Sequence, residues 1–271
     1  MKYTLLAAAT LAAVTALPAA AQETAPPKPV TVTGSVALVS DYRLRGVSQT
    51  DKEMAVQGGI TVAHESGLYG GVWASNLAGW GTFGGSNMEL DLIGGYKHAV
   101  GGGAIDVGLT WYMYPGGSDN TDFAEPYVKV SGTAGPVNLL AGVAYAPKQE
   151  ALGNFSNTPQ SRGQSEDNLY IWADTSAAIS GTPVTLKAHA GYSHGNPGLG
   201  PNGTSVTPTG EYFDWLIGAD VAIAPVTLGI AYVDTDITMK EAAYLQPNFS
   251  SSKNGSSIAS GRVVFSITAA F

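Results

Sequence analysis

The chain has 271 residues, among them 35 glycines, 13 tyrosines and no cysteine, and a formal charge of −8. The missing cysteine excludes disulfide frameworks, thiolate metal sites and thiol catalysis, and an acidic chain without a basic tail argues against nucleic acid, whose binding rests on phosphate neutralisation. With 13% charged residues the chain is neither coiled coil nor extended and disordered, and its Gly, Tyr, Val and Thr content is that of a β protein.

Met1 to Ala21 reads as a secretory signal: Lys2 is the basic start, Leu5 to Leu17 is uncharged, and Ala19-Ala20-Ala21 offers a small-residue cleavage site. The run is shorter than the ~20 apolar residues of a membrane helix. Residues 22–29 form a Pro-rich tether, and residues 30–271 the folded domain. No later apolar run reaches the roughly 18 residues that a spanning helix needs.

From Val30 onward the pattern is apolar–polar alternation, the signature of half-buried strands. In chain order the apolar faces are Val30 to Leu38, Val56 to Val62, Leu90 to Tyr96, Ile105 to Trp111, Val128 to Val130 and Val137 to Tyr145. They continue with Leu169 to Ala173, Val184 to Tyr192, Phe213 to Val221, Val226 to Tyr232 and Val263 to Phe271. Leu68 to Asn76 also reads as a strand, with its orientation open, which brings the expectation to twelve.

The connections sort by length. Glu65-Ser66-Gly67, His98 to Gly103, Thr133 to Pro136, Ser180 to Pro183 and Ala224-Pro225 are short; the connections between them, from Tyr42–Glu53 to Asp236–Ser256, are long. A β-sandwich has no reason to alternate in this way, whereas outer-membrane barrels carry short periplasmic turns and long outer loops. Sidedness agrees. Lipid tolerates no unpaired backbone and no charge on the outer face. Alternation places Glu89, Asp91, Lys97, Asp106, Glu125, Lys129, Asp174, Lys187, Asp214, Asp220 and Arg262 on the other face. These are the expected lumen charges, seven acids to four bases, which implies a mild preference for cations. Glu89 and Asp91 are expected on a solvated lumen wall rather than as a glycosidase pair. Tyr96, Trp111, Tyr145, Tyr192, Phe213 and Tyr232 suit interfacial girdles. The terminal aromatic Phe271 resembles the signal read by bacterial barrel-assembly machinery.

The loop Ser40 to Thr50 carries Arg43 and Arg45 among Gly, Ser and Gln. These arginines are expected at the pore mouth, or against anionic lipopolysaccharide, or in a salt bridge to Asp41 or Asp51. Gly191-Tyr192-Ser193-His194-Gly195 matches the G-x-S-x-G elbow of hydrolases, but Asn196-Pro197-Gly198 follows where that elbow needs a helix. His64, His98 and His189 are too dispersed for a metal site. Asp119, Asp122 and Glu125 read as solvated loop charge rather than a calcium site.

Together with Ser40 to Thr50, the segments Gln57-Gly58-Gly59, His64 to Tyr69, Gly71 to Asn76, Glu89-Leu90-Asp91 and Tyr112 to Gly116 resemble the TorF family of proteobacterial porins, densely over residues 34–117 and more loosely beyond. The resemblance implies an outer-membrane barrel and brings no catalytic or ligand residues. The expectation is an all-β, transmembrane, antiparallel up-and-down barrel of about twelve strands in the outer membrane. It would pass small hydrophilic solutes passively, without cofactor, metal or enzymatic activity. Its partners would be outer-membrane lipids, lipopolysaccharide and the assembly machinery. The alternatives are a non-conducting barrel with a structural or surface role, and an outer-membrane lipid hydrolase.

Overall fold

The computed structural model describes residues 29–118, 120–153, 162–197, 206–240 and 249–271. The expected signal segment, the tether as far as Lys28, and Asp119 lie outside the described residues. In chain order the strands are β1 (Val30–Val39), β2 (Arg43–Leu44), β3 (Val47–Ser48), β4 (Ala55–His64), β5 (Leu68–Asn76), β6 (Met88–Val100) and β7 (Gly103–Met113). There follow β8 (Phe123–Ala134), β9 (Val137–Gln149), β10 (Glu166–Ala178), β11 (Val184–Gly195), β12 (Glu211–Ile223), β13 (Val226–Thr235) and β14 (Arg262–Ala270). All but β2 and β3 join in one closed antiparallel barrel of twelve strands, in which each strand pairs with its sequence neighbours and β14 returns to β1. Closure satisfies every edge strand, as a chain without an aqueous surround requires.

The seam uses the last residue. Gly34 and Phe271 exchange backbone hydrogen bonds of 2.9 and 3.0 Å. A Cβ on Gly34 would stand 2.5 Å from the Phe271 ring, so only glycine leaves room for the terminal aromatic.

Every strand begins or ends within a few residues of its alternating pattern. Two turns are shorter than expected: instead of His98 to Gly103, pairing continues to Val100 opposite Gly103, leaving residues 101–102 as the tip, and instead of Thr133 to Pro136, Ala134 pairs with Val137, leaving residues 135–136. Short and long connections still alternate, so all long loops lie at one rim.

The outer face is apolar and bare. Val36 is 52% exposed, Ile217 68% and Phe265 57%, whereas the inward Asp214 is 3% exposed. Such a belt is unfavourable in water and suited to hydrocarbon. The orientation of β5 is settled by the same criterion, with Leu68 and Val72 outward and Trp73 inward, its ring 5.4 Å from that of Tyr42. No helix among the described residues is long and apolar enough to cross a membrane; strands make the crossing.

The interior is filled in the half nearest the long loops. Tyr42, Tyr112, Tyr114, Phe123 and Leu152 form one buried cluster, and Val47, Tyr212, Phe249 and Ile258 another.

Candidate functional site: a lumen crossed by its first loop

The first long loop, residues 40–54, folds into the barrel. Its start is pinned by Asp41, which accepts hydrogen bonds from Arg43 Nε at 2.9 Å and Ser48 Oγ at 2.6 Å. β2 and β3 then form a miniature hairpin around Arg45 and Gly46, whose φ angles are 49° and 79°. Two successive left-handed residues make a type I′ turn, where Asn-Gly is preferred and arginine is costly. Gly46 is required by space as well: a Cβ would collide with Thr235 Cγ2 and stand 3.0 Å from Asp214 Cβ. The hairpin tip is therefore wedged against β12 and β13.

From this tip the Arg45 side chain reaches the far wall. Its Nη2 donates to both Glu125 oxygens at 2.6 and 2.7 Å, and the guanidinium carbon lies 4.2 Å from the centroid of the Tyr170 ring. Glu125 stands on β8 and Tyr170 on β10, five and seven strands round from β1 in a ring of twelve, so the loop spans the lumen. Both partners of the ion pair are almost wholly buried, with side chains 7% and 4% exposed. Tyr112 also donates to Glu125, at 3.3 Å.

The loop is fastened at two further places. Tyr42 donates to Glu89 Oε1 on β6 at 2.8 Å. Residues 249–261 of the sixth long loop lie over it: Ser48 N donates to Ile258 O at 3.0 Å and Arg43 Nη1 to Ser260 O at 2.9 Å. Asp51 accepts from Ser252 N and Oγ at 3.0 and 2.5 Å. Burial alone would raise the Asp51 carboxyl, but the hydrogen bonds from Ser252 and Ser251 outweigh it and hold the group below the ordinary carboxylate range.

Between this crossing and the short-turn rim is a cavity of about 980 Å³, reaching from Arg45 and Gly46 down to Ser66, Gly102 and Pro183. Its charges are largely matched. Lys129 lies 3.3 Å from Asp106 and Lys187 2.7 Å from Asp220; His189 bridges Asp174 at 2.6 Å and Asp214 at 3.1 Å. Four aromatic side chains lie flat on the wall because a glycine faces each one. Trp172 covers Gly142, Tyr127 covers Gly108, Tyr69 covers Gly95 and Tyr170 covers Gly191, and a Cβ on any of these glycines would strike the ring or its hydroxyl. Glycine here keeps rings out of the passage.

The expected lumen residues are thus placed individually. Lys97, Asp106, Lys129, Asp174, Lys187, Asp214 and Asp220 line the cavity. Arg262, with its side chain 42% exposed, sits at the long-loop rim 3.9 Å from Asp41. Glu89 and Asp91 depart from the expected solvated wall: they are 1% and 6% exposed, because the loop at Tyr42 covers them. The two arginines are not at an open mouth facing lipopolysaccharide. Arg43 makes the salt bridge to Asp41, and Arg45 pairs with neither Asp41 nor Asp51 but with Glu125. Glu125 is accordingly a strand residue rather than loop charge, and Asp122 accepts Tyr114 N at 2.9 Å. Among the described residues no group of three or more His, Asp or Glu could hold a metal ion. Gly191 to Gly195 lies wholly inside β11, with Ser193 buried and His194 facing outward, so no hydrolase elbow forms. Sequence reasoning weighed His189 only as a metal ligand and did not single out Tyr170; its signal was an inward aromatic opposite the inward Gly191, legible only once register is known.

A closed barrel with an apolar belt, a polar interior and a loop folded through it defines a β-barrel membrane protein. The chain belongs to the family described as "Bacterial protein of unknown function (Gcw_chp)", whose model matches residues 22–271. No curated protein matches the sequence. Among solved structures the chain is similar to a porin, with 9% identity, a TM-score of 0.42, and coverage of 89% of this chain and 100% of that one. It is also similar to the outer-membrane channel DcaP of Acinetobacter baumannii, with 10% identity, a TM-score of 0.40, and coverage of 89% and 97%. An outer-membrane channel of Pseudomonas putida gives 10% identity, a TM-score of 0.42, and coverage of 91% and 97%.

Proposed function

We propose that the protein is a narrow outer-membrane channel for small hydrophilic solutes, without enzymatic activity, whose constriction is the first loop. The observation that carries this reading is the cavity of about 980 Å³ inside a closed barrel, lined by charged side chains such as Lys97, Asp106, Lys187 and Asp220 and bounded by Arg45 and Gly46 at its inner end. Passage is by diffusion, and the excess of acids over bases on the inner face favours cations weakly. The resemblance to TorF-family porins supports the same reading. The segment Met1 to Ala21, read as a secretory signal, fits export to the outer membrane. There the long loops face outward, among lipopolysaccharide.

Refolded protein in planar bilayers tests this. Discrete conductance steps with a cation-leaning reversal potential are expected; silence in repeated trials, with the barrel intact by circular dichroism, refutes the channel. A non-conducting barrel with a surface role is the second reading. It is favoured by the packing of the loop at Tyr42, Val47 and Phe249, which fills the long-loop half of the lumen.

A further inference from the structure

The contact between Arg45 and the far wall is built like a ligand site rather than like the other ion pairs of the lumen. Lys129 and Lys187 each meet a single carboxylate on an adjacent strand. Arg45 comes from a loop and enters a socket on the far wall. Glu125 presents both oxygens to one nitrogen, at 2.6 and 2.7 Å, and the guanidinium carbon sits over the Tyr170 ring, 4.2 Å from its centroid. The socket is itself held: Tyr112 bonds Glu125 at 3.3 Å, Tyr170 donates to Asp214 at 3.2 Å, and Trp172 stacks on Tyr170 with centroids 5.4 Å apart. A carboxylate beside an aromatic face recognises a planar, delocalised cation better than an ammonium, which lacks a flat surface to lay on the ring.

Two further observations bear on Arg45. Its backbone is left-handed, φ 49°, at a turn position that asparagine fills more easily. Such strain persists where the side chain is needed. Its Nη1 is buried with no hydrogen-bond partner. Arg45, Glu125 and Tyr170 all line the cavity, so a solute in the lumen reaches the same walls.

We propose that the Glu125–Tyr170 socket is a recognition site for guanidinium-bearing solutes, and that Arg45 occupies it at rest as a tethered stand-in. A solute carrying a guanidinium group competes with Arg45, frees the hairpin tip and widens the passage. The competition deepens the channel reading by naming a substrate class; the binding itself does not depend on conduction.

The test uses full-length refolded barrel in detergent, with calorimetric titration of methylguanidinium and methylammonium. Arg45→Asn vacates the socket and suits the Asn-Gly turn. It is expected to bind methylguanidinium saturably and at least ten-fold more tightly than methylammonium. Wild type is expected to bind at least ten-fold more weakly than Arg45→Asn, because the tethered arginine competes. Adding Glu125→Gln to Arg45→Asn is expected to lose at least ten-fold. Equal affinity for the two cations, or affinity indifferent to Glu125, overturns the proposal. Circular dichroism checks the fold; should Arg45→Asn not refold, Arg45→Lys keeps the charge without the fork and must show the same order of affinities. A bilayer arm separates the two readings. Methylguanidinium is expected to raise wild-type conductance, whereas silence in every variant refutes the channel and leaves the calorimetric order to judge the socket.

Discussion

Replacing Glu125 by glutamine removes one charge at the far wall and almost no volume. Arg45 then has two options. It can remain buried, its guanidinium facing a neutral amide, or it can leave with the hairpin tip for water. Staying is costly: removing one partner of a buried ion pair typically costs about 3–5 kcal/mol, because the other charge is left uncompensated. The stacking on Tyr170 at 4.2 Å offsets part of this, by about 0.5–2 kcal/mol. The remaining ~1–4.5 kcal/mol corresponds to a shift of roughly 5- to 2,000-fold toward the released tip. The base of the loop does not share this loss, since Arg43 keeps Asp41, and Ser48 N keeps Ile258 O at 3.0 Å. Hydrogen exchange read residue by residue should therefore show faster exchange at Leu44 to Val47 and unchanged protection at Ser48. As a control, Lys148→Ala breaks a rim pair at 3.8 Å whose side chains are 67% and 36% exposed; it should leave the hairpin amides unaffected, since exposed pairs contribute ~0–1 kcal/mol. Unchanged exchange at Leu44 to Val47 in folded Glu125→Gln would show that the ion pair does not hold the crossing.

Other expectations follow from the two faces of the wall and from the loop contacts. Gly142→Val places a side chain where the Trp172 ring lies; overpacking of this kind costs about 1–3 kcal/mol, seen as a lower urea midpoint, and a wild-type midpoint with unchanged tryptophan emission would contradict the ring-over-glycine account. Ile217→Arg puts a charge on the belt at a position 68% exposed; it should lower stability in bilayers by ~2–4 kcal/mol if the site is near midplane, and an unaltered unfolding curve there would argue against lipid contact. The Asp51 carboxyl, held below its ordinary range by Ser252 and Ser251, contributes stability that is present above the unfolded-state pKa and is lost as pH falls through the lowered folded value. Protection of the Ser252 amide should therefore persist to pH values below about 3.9; loss already at pH 5 would count against this contact.

Much of the barrel was legible because period-two alternation is a local property. Val263 to Phe271 announces its lipid face by alternation alone, without reference to any partner strand. Loop lengths were equally local, and from them came the sorting of the rims. β5 was the exception. Gly70, Gly71 and Ala74 give it little contrast between faces, and its orientation emerged only from the register Trp73 opposite Asp91 and the packing of Trp73 on Tyr42.

The interior was another matter. Glu89 and Asp91 fall on the inward face by parity, but parity does not say what covers that face. That depended on where Tyr42 lands, 47 residues away in sequence. The partner of Arg45 is 80 residues distant, while Asp41 and Asp51 are close at hand. Nearness in sequence suggested the latter two, but the backbone of the Arg45-Gly46 turn points the side chain across the lumen instead. The sequence by itself determined the strands, their number, their two faces and the rim carrying the long loops, because each of these rests on alternation or length within one segment. Only the tertiary structure decided that the first loop crosses the lumen, which charges become pairs, and which carboxylate Arg45 reaches, because those depend on closure of the ring, which brings β8 and β10 round to face the loop that follows β1.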